Sequence, residues 1–454
     1  MRTSRFFATT ADGFSDLFPD AVARLSVFMI LALPVLVLAG CAELQGASQP
    51  SVQAAAATPP APTPAPLPAA TVAVPGTAAV PPAPAPLVEP VPFDEAVVKA
   101  ANTVFSSQTL PPPGPSGRHP VVIDPLVDGM TGSQSAATRL IQKKVTELVE
   151  RDYPQFEIKP FTSENVASAP LVLVGTFTPV SKEGKTAGMR EAYRFCLVMA
   201  DLKSGRTVAK GVARARMEGV DATPTPFFQD SPTWTSDKAT EGYITTCQGT
   251  KVGDPIAPGY LDGILTASLI SDAIEAYDAG RYNEALDLYR AAVQTRAGDQ
   301  LRAYNGIYLA NLKLGLRDDA AMAFSDIVDY GLRNNRLAVK FLFRPGSTAF
   351  VSDSQVSGDY DRWLDAIATR AARSPSCLEV AGHTSPTGPA PLNERLSLLR
   401  AEYVKTRLSQ EEPALTERTI ANGMGARDNL IGTGRDDATD ALDRRVEFKV
   451  IGGC

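Results

Sequence analysis

Histidine is almost absent from this chain, whose 454 residues contain only His119 and His383. So few imidazoles exclude a His-rich metal site and make a Ser-His-Asp or zinc-hydrolase centre hard to assemble. The five cysteines are scattered and never show the CxxC spacing of a zinc ribbon. Positive charge is not in excess either, because 44 Lys and Arg stand against 50 Asp and Glu, a net charge of −6. We therefore expect no metal or other cofactor and no nucleic-acid partner.

The first forty residues are typical of a targeting segment. An apolar stretch of 14 residues, 25–38, is shorter than the roughly 20 residues that cross a membrane. Small residues then precede Cys41 in the sequence LAGC. This ending resembles the lipobox of bacterial lipoproteins, which are cut before the cysteine and acylated on its thiol, for example with palmitate. The resemblance implies a signal peptide over 1–40, lipidation of Cys41 and, because residue 42 is Ala rather than Asp, a Gram-negative outer membrane. An ordinary buried cysteine is the alternative.

A segment without charge follows the cysteine. Residues 44–88 contain no Asp, Glu, Lys or Arg, and residues 50–92 contain 14 prolines. Such a composition cannot bury a core, and Pro/Ala-rich chains favour the extended polyproline conformation. The sequence therefore predicts a disordered linker over 41–93 that holds the folded part of the chain away from the lipid, although low-complexity filler is the alternative.

Residues 119–217 show strand patterns with one strong helix. The helix is predicted over 136–149, where apolar residues recur at helical spacing. The strands are predicted near 121–123, 156–161, 171–177, 193–202 and 207–217. The run from "APLVLVGTFTPV" to "YRFCLVMADLKSGRTVAKGVARA" resembles the sheet of curli-secretion and penicillin-binding-protein-activator lipoproteins. We therefore predict a small α/β domain here, followed by an irregular extension over 218–260, which is rich in Pro, Thr and Asp.

Residues 263–334 contain an internal repeat with helical periodicity. Three residues recur after 35 positions, Gly280, Ala285 and Tyr289 becoming Gly315, Ala320 and Phe324. The first unit, "YDAGRYNEALDLYRAAV", resembles the tetratricopeptide repeat (TPR), a pair of helices joined by a turn. Two units are fewer than the three that are usually needed for stability, so we expect them to pack on a neighbouring domain. They provide either a concave peptide-binding face or a structural spacer.

Residues 337–454 are the most informative part of the sequence. Helices are predicted over 360–372 and 392–408. Strands are predicted over 339–343, 378–381, 419–423 and in "RRVEFKV". In that last strand Val446, Phe448 and Val450 alternate with charged residues, so one face of the sheet is buried.

Three ordered motifs in this region, "VAGHTSPTGPAPLNERLSLLRAEYV", "IANGMGARDNL" and "DRRVEFKV", resemble the OmpA-like C-terminal domain. The resemblance implies an α/β sandwich with a mixed sheet and helices on one side, which binds peptidoglycan without covalent attachment. It gives Gly382 and Arg444 structural roles, Arg444 bracing the sheet. With the regions above, the predicted fold class is α+β and multidomain: a small α/β domain, TPR-like helices and the OmpA-like sandwich.

The OmpA-like family holds the diaminopimelate side chain of the peptidoglycan stem peptide with an Asp at a strand end and an Arg in the next helix. The Arg corresponds to Arg400 in "LSLLRA". A guanidinium can donate two parallel hydrogen bonds to a carboxylate such as that of diaminopimelate. Asn393 lies seven residues earlier, about two helical turns, and Leu396 lies between them. We therefore expect these side chains on one face of the helix. Thr384, in the GHTS motif before the helix, is expected to contribute to the same site.

The Asp of the family pattern is Ser385 here, because GHTD is replaced by GHTS. A serine offers only a neutral hydrogen bond, so we expect an affinity lower by about tenfold or somewhat more. Alternatively another acid supplies the charge, with Asp436, Asp437 and Asp440 as candidates, or the domain binds something else.

Four cysteines remain beside Cys41, and three pairings among them are possible. Their positions in the predicted domains favour two disulfides, Cys196–Cys247 and Cys377–Cys454. The second pairing depends on the antiparallel strands that the OmpA-like resemblance implies, which would bring the two chain ends together. Free buried thiols are the alternative.

These features favour a binding and scaffolding protein over an enzyme, since no spacing supplies paired acids or an activated nucleophile. The expected partners are peptidoglycan, the outer membrane through the lipid anchor, and an unidentified envelope protein held by the α/β and TPR-like regions. The alternative function is a regulator or activator of a cell-wall synthase, or an accessory of an envelope export assembly.

Overall fold

The computed structural model describes residues 89–454, apart from 108, 109, 115, 169, 170, 235, 236, 353–357, 435–438 and 453. The predicted signal peptide, the lipidation site at Cys41 and nearly all of the linker lie outside these residues, so they stay predictions. Within the described residues, no helix combines the length and the apolar character needed to cross a membrane.

A mixed sheet forms the centre of the first folded region. Its strands are β1 (His119–Ile123), β2 (Val127–Asp128), β3 (Phe156–Lys159), β4 (Leu171–Val180), β5 (Ala192–Asp201) and β6 (Arg206–Arg216). The strand order is β3-β1-β4-β5-β6, with β2 beside β4. Strand β1 runs parallel to β3 and β4, whereas β4, β5 and β6 are antiparallel. Along the chain, the longer strands β4, β5 and β6 occur in the regions where the sequence pattern predicted strands.

Three helices accompany this sheet, α1 (Phe93–Phe105), α2 (Ala136–Asp152) and α3 (Ser163–Ser168). The sequence did not predict α1 or α3. The predicted linker reached residue 93, but Val91 already exchanges backbone hydrogen bonds with Arg214 and Arg216 at the edge of the sheet. The linker therefore ends before Val91, because these bonds hold the chain against β6.

The irregular extension predicted over 218–260 is wrong. The structure forms α4 (Pro226–Asp230) and α5 (Lys238–Gln248) there, and α6 (Pro258–Asp278) also begins within it. Side chains of α5 and α6 pack on the face of the sheet opposite to α1 and α2. Strand β4 is buried at all ten of its positions, so both faces of the sheet must be covered, and α5 and α6 cover the second face.

Two pairs of antiparallel helices follow. They are formed by α6, α7 (Tyr282–Val293), α8 (Leu301–Lys313) and α9 (Arg317–Arg333). Gly280 and Gly315 have φ angles of 77° and 76° in the two turns, a region that favours glycine. A Cβ at Gly306 would lie 2.3 Å from the ring of Tyr289, so the helices cross closely at that point. The helix pairs fit the predicted repeat, and its identity as a TPR stays a prediction.

The C-terminal region contains a four-stranded sheet and two long helices. They are β7 (Leu337–Val339), α10 (Tyr360–Ala372), β8 (Cys377–Gly382), α11 (Ala390–Glu411), β9 (Thr419–Gly423) and β10 (Val446–Ile451), with short 3-10 helices at Pro413–Leu415 and Thr439–Asp443. The strand order is β7-β10-β8-β9. Strand β10 is antiparallel to both neighbours, and β8 is parallel to β9. The mixed α+β class is confirmed.

The helix pairs and the C-terminal region share one hydrophobic core. Phe324 of α9 and Trp363 of α10 stack with ring centroids 5.2 Å apart. Two helix pairs alone would expose one apolar side, and the structure covers that side with α10 and β7.

The cysteines follow one of the two favoured pairings. Cys377 and Cys454 form a disulfide between the start of β8 and the chain end beyond β10. Cys196 and Cys247 are instead free, buried thiols, so the Cys196–Cys247 disulfide is corrected. Each Sγ of this pair donates to the main-chain carbonyl of the other residue, at 2.7 and 2.9 Å.

Candidate ligand-binding site

The candidate site lies where β8 ends and α11 packs against it. A Cβ at Gly382, the last residue of β8, would lie 2.0 Å from the carbonyl oxygen of Ser397 in α11. A Cβ at Gly423, which ends β9, would lie 2.6 Å from the carbonyl oxygen of Glu394. Because only glycine permits this approach, Gly382 sets how closely α11 lies over the loop 383–388.

Arg400 projects from α11 into this corner and has no exposed surface. Its guanidinium donates from Nε to the carbonyl of Ser347 at 3.0 Å, from Nη1 to His383 at 3.3 Å and from Nη2 to Arg344 at 3.1 Å. It also lies 5.0 Å from the ring centroid of Phe343. Sequence reasoning expected a guanidinium that a ligand could reach. The structure covers it, because the segment after β7 folds over the helix.

The other predicted residues line the same corner. The amide nitrogen of Asn393 donates to the carbonyl of Ser385 at 3.3 Å and to that of Thr387 at 3.1 Å. Thr384 and Ser385 are buried, and the hydroxyl of Thr384 has no hydrogen-bond partner among the described residues. Leu396 is half-buried on α11. The structure thus brings Arg400, Asn393 and the GHTS loop together, as the motif implied.

Two described acidic residues near this corner, Asp440 and Asp443, hold a loop. Asp440, one of the candidates to replace the family's Asp, accepts hydrogen bonds from the backbone and hydroxyl of Thr433 at 3.1 and 2.7 Å. Asp436 and Asp437 lie outside the described residues. Asp443, which sequence reasoning gave no role, accepts the backbone N–H groups of Leu430, Ile431 and Gly432 at 2.7–2.9 Å. Burial raises the pKa of Asp443.

His383 is a neutral structural residue in this arrangement. Its backbone N–H continues the β8–β10 ladder to the carbonyl of Arg445 at 2.9 Å. Burial, helped by the nearby positive charge of Arg445, Lys449 and Arg427, lowers its pKa to about 2. This outweighs the carboxylate of Glu447, which lies 3.8 Å from Nε2. The imidazole is therefore uncharged at any physiological pH.

The "DRRVE" motif contributes buried arginines beside the last strand. Arg444 and Arg445 are both buried. Arg445 pairs with Glu447 of β10, with Nη2 to Oε1 at 2.6 Å, and lies 5.9 Å from the ring centroid of Trp234. Arg445 thus braces the last strand, and the structural role of Arg444 stays a prediction.

One element at the site was missed by sequence reasoning. Arg190, at the end of the β4–β5 connection in the α/β domain, is only 3% exposed. Its backbone N–H donates to the carbonyl of Gly432 at 3.1 Å, and its Nη2 donates to the carbonyl of Asn429 at 3.0 Å. No local pattern marks this contact, since the two partners are far apart in the chain.

The corner therefore offers a buried guanidinium, neutral amide and hydroxyl groups and main-chain oxygens. It suits recognition of a carboxylate and a hydrogen-bonding ligand. Within the described part of the chain, no three His, Cys, Asp or Glu side chains are grouped to hold a metal ion.

Comparison with known proteins gives partial matches. No family model matches the chain. Outer membrane protein Omp38 of Acinetobacter baumannii is 33% identical over 100 residues, which are 22% of this chain and 28% of Omp38. The chain thus spans little more than a quarter of the length of the curated relatives it matches.

Solved structures of envelope proteins also align with part of the chain. The peptidoglycan-associated lipoprotein from Burkholderia pseudomallei is 21% identical, covers 26% of this chain and 91% of its own, and has a TM-score of 0.22. The cell wall anchor of the T6SS from Pseudomonas aeruginosa is 22% identical, covers 25% and 79%, and has a TM-score of 0.21. The sequence likeness to Omp38 supports an OmpA-like domain in this chain.

Proposed function

We propose that this protein is a Gram-negative envelope protein whose C-terminal domain binds peptidoglycan without covalent attachment. The observation that carries the proposal is the position of Arg400 directly under the GHTS loop, beside Asn393. The sequence likeness to Omp38 supports it. In this proposal the protein acts by binding rather than by catalysis.

The chemistry of Arg400 selects the ligand. Its described hydrogen bonds go to main-chain carbonyls of residues 344, 347 and 383. A carboxylate is a stronger acceptor than a neutral carbonyl, since charge-assisted hydrogen bonds are worth about twice as much. The distal carboxylate of diaminopimelate can therefore replace the carbonyls of 344 and 347 when the segment after β7 moves aside.

Ser385 sets the affinity for the diaminopimelate side chain. It lies on the loop that Asn393 holds through the carbonyls of Ser385 and Thr387. In the family an Asp at this position pairs with the amino group of the ligand. With Ser385 we expect an affinity about tenfold lower. The proposed protein is a weak wall binder, which suits a chain that is also held elsewhere.

The second attachment is a lipid on Cys41, joined to the folded part by the Pro/Ala-rich linker. Two weak attachments on one chain reinforce each other, because the second binding event takes place at a high effective concentration. The α/β domain and the helix pairs are then available to an envelope protein partner. The protein is thus proposed as a scaffold between the outer membrane and the wall.

Co-sedimentation with purified peptidoglycan sacculi tests the wall-binding part. Detergent-solubilised full-length protein should pellet with sacculi that contain diaminopimelate, and less with sacculi that contain lysine, which lacks the distal carboxylate. Arg400→Ala should lower the pelleted fraction at least about tenfold. Arg395→Ala is the matched control, because Arg395 is exposed on the same helix.

Ser385→Asp separates loss of binding from loss of folding. It should increase the fraction that pellets only when sacculi are present about tenfold, whereas a misfolded, aggregated protein would also pellet without sacculi. Equal pelleting with both kinds of sacculi, or no gain from Ser385→Asp, would contradict diaminopimelate recognition.

A further inference from the structure

The β4–β5 connection, residues 181–191, reaches from the α/β domain onto the candidate site. It is much longer than the two residues that suffice to join antiparallel strands. Arg190 anchors it through the hydrogen bonds to Gly432 and Asn429 described above. The same guanidinium donates to the carbonyls of Thr186 and Gly188, so it also fixes the fold of the connection. We name residues 181–191 the β4–β5 hairpin.

The hairpin contacts the loops that border the site. Asn429, which accepts from Arg190, donates its amide to the carbonyl of Thr384 at 2.8 Å. A Cβ at Gly434 would lie 2.8 Å from the methyl carbon of Met189 and 3.9 Å from Pro386. A continuous chain of contacts therefore joins the hairpin to the GHTS loop.

Charge strengthens this contact. Burial lowers the pKa of the Arg190 guanidinium, while the carboxylates of Asp443 and Asp128 act to raise it. Asp128 belongs to the α/β domain, and Asp443 holds the loop 430–432 of the C-terminal domain. One carboxylate of each region thus attracts the Arg190 guanidinium.

The site residues are closed from solvent, with the segment after β7 on Arg400 and the hairpin on the loop 429–434. Thr384, Ser385, Asn393, Arg400 and Asn429 are each at most 8% exposed. Met189, by contrast, is 49% exposed at the hairpin. The hairpin therefore holds the loop 429–434 at the border of the site, and its exposed side is one that a competing molecule can reach.

We propose that the β4–β5 hairpin, together with the segment after β7, forms an intramolecular cover of the candidate wall-binding site, locked by Arg190, so that the α/β domain restrains binding by the C-terminal domain. The inference rests on the proposed function, because the cover regulates that same site. A protein whose competent state is only fractionally populated binds with an affinity reduced by that fraction. Release of the hairpin should therefore strengthen wall binding without any new ligand contact.

Full-length protein and diaminopimelate-containing sacculi provide the test. Arg190→Ala should lower the apparent dissociation constant about tenfold to a hundredfold, because it removes charge-assisted hydrogen bonds that hold the cover closed. Lys185→Ala is the matched control: it removes one positive charge from an exposed position of the same hairpin and should leave binding unchanged. Met189→Asp, at an exposed position, keeps the test valid if Arg190→Ala fails to fold, and should strengthen binding about threefold.

Hydrogen exchange provides an independent readout. In Arg190→Ala the amides of residues 384–387 and 429–432 should exchange faster, while those of β4 and β5 stay protected. If wild type and both hairpin variants pellet equally, the cover is disproved and wall binding stands. If Ser385→Asp and the hairpin variants all stay in the supernatant, the proposed function is wrong and the cover falls with it.

Discussion

Strands β4 and β5 of the first sheet and strand β10 of the C-terminal sheet differ in how many of their faces are covered. In the α/β domain β4 is buried at all ten positions and β5 at nine of ten, with helices on both sides. In the C-terminal sheet β10 buries Val446 and Phe448 but leaves the positions between and after them partly exposed. The difference teaches that an uninterrupted apolar strand requires two helical layers, whereas an alternating strand requires one.

The largest effect is expected from removing part of the helical layer that covers the second face of the α/β sheet. Tyr243 of α5 is buried, accepts the N–H of Gly175 at 2.7 Å and packs on the sheet. Tyr243→Ala should lower the free energy of unfolding by about 3–5 kcal/mol, because it leaves a cavity and an unpaired backbone group. Denaturant titration measures this loss.

Lys449→Ala is the matching change on the open face of the C-terminal sheet. Lys449 is half-buried on β10. Its truncation should change the free energy of unfolding by no more than about 0.5 kcal/mol. Losses of similar size at Tyr243 and Lys449 would show that the two sheets do not differ in cover.

The comparison also explains what sequence could predict. The long strands of both sheets were predicted because their apolar patterns are set locally. Helix α5, "KATEGYITTCQ", was missed because its threonines, glycine and charges give a weak apolar periodicity. The apolar run of β4 was the better signal, since it implies a second layer that the predicted extension did not supply.

In the candidate site too, the features set by local sequence could be predicted and those set by long-range contacts could not. Motif spacing predicted Asn393 and Arg400 on one helix, where the structure also has them, and their role in binding stays a prediction. The burial of Arg400 depends on the segment after β7, and the contact of Arg190 with Asn429 joins two distant parts of the chain. Such long-range contacts leave no periodicity in the sequence, so only the structure reveals them.

One buried titratable group in each region gives the unfolding free energy a pH dependence that can be compared. Asp124, at the end of β1, is buried against Tyr260, and burial raises its pKa to about 7. An acid with a raised pKa in the folded state stabilises most at low pH, and this contribution is lost as the pH rises from about 4 to 7. The unfolding free energy of wild type relative to Asp124→Asn should therefore fall by about 1.4 kcal/mol per pH unit over that window.

His383, in the C-terminal region, should give the opposite slope. Its pKa is lowered to about 2, so its neutral form stabilises the fold above about pH 6.5 and loses this effect as the pH falls. Relative to His383→Leu, wild type should lose about 1.4 kcal/mol per pH unit below that value. Urea titrations from pH 4 to 8 measure both differences, and slopes of equal sign would refute the assignment.

The last prediction concerns the face of each sheet on which a helix packs closely against a glycine. A Cβ at Gly211 of β6 would lie 2.1 Å from the carbonyl oxygen of Ala100 in α1, much as Gly382 meets Ser397. Gly211→Ala and Gly382→Ala should each cost about 1–3 kcal/mol, because a helix must move outward in each case. Gly452→Ala, with no atom within 4 Å of the added methyl group, is the control. Equal losses of unfolding free energy in the two regions would mean that the sheets differ only on the face away from α1 and α11. A loss at Gly211 alone would mean that α11 moves outward more easily than α1. An α11 that yields could itself open the corner around Arg400.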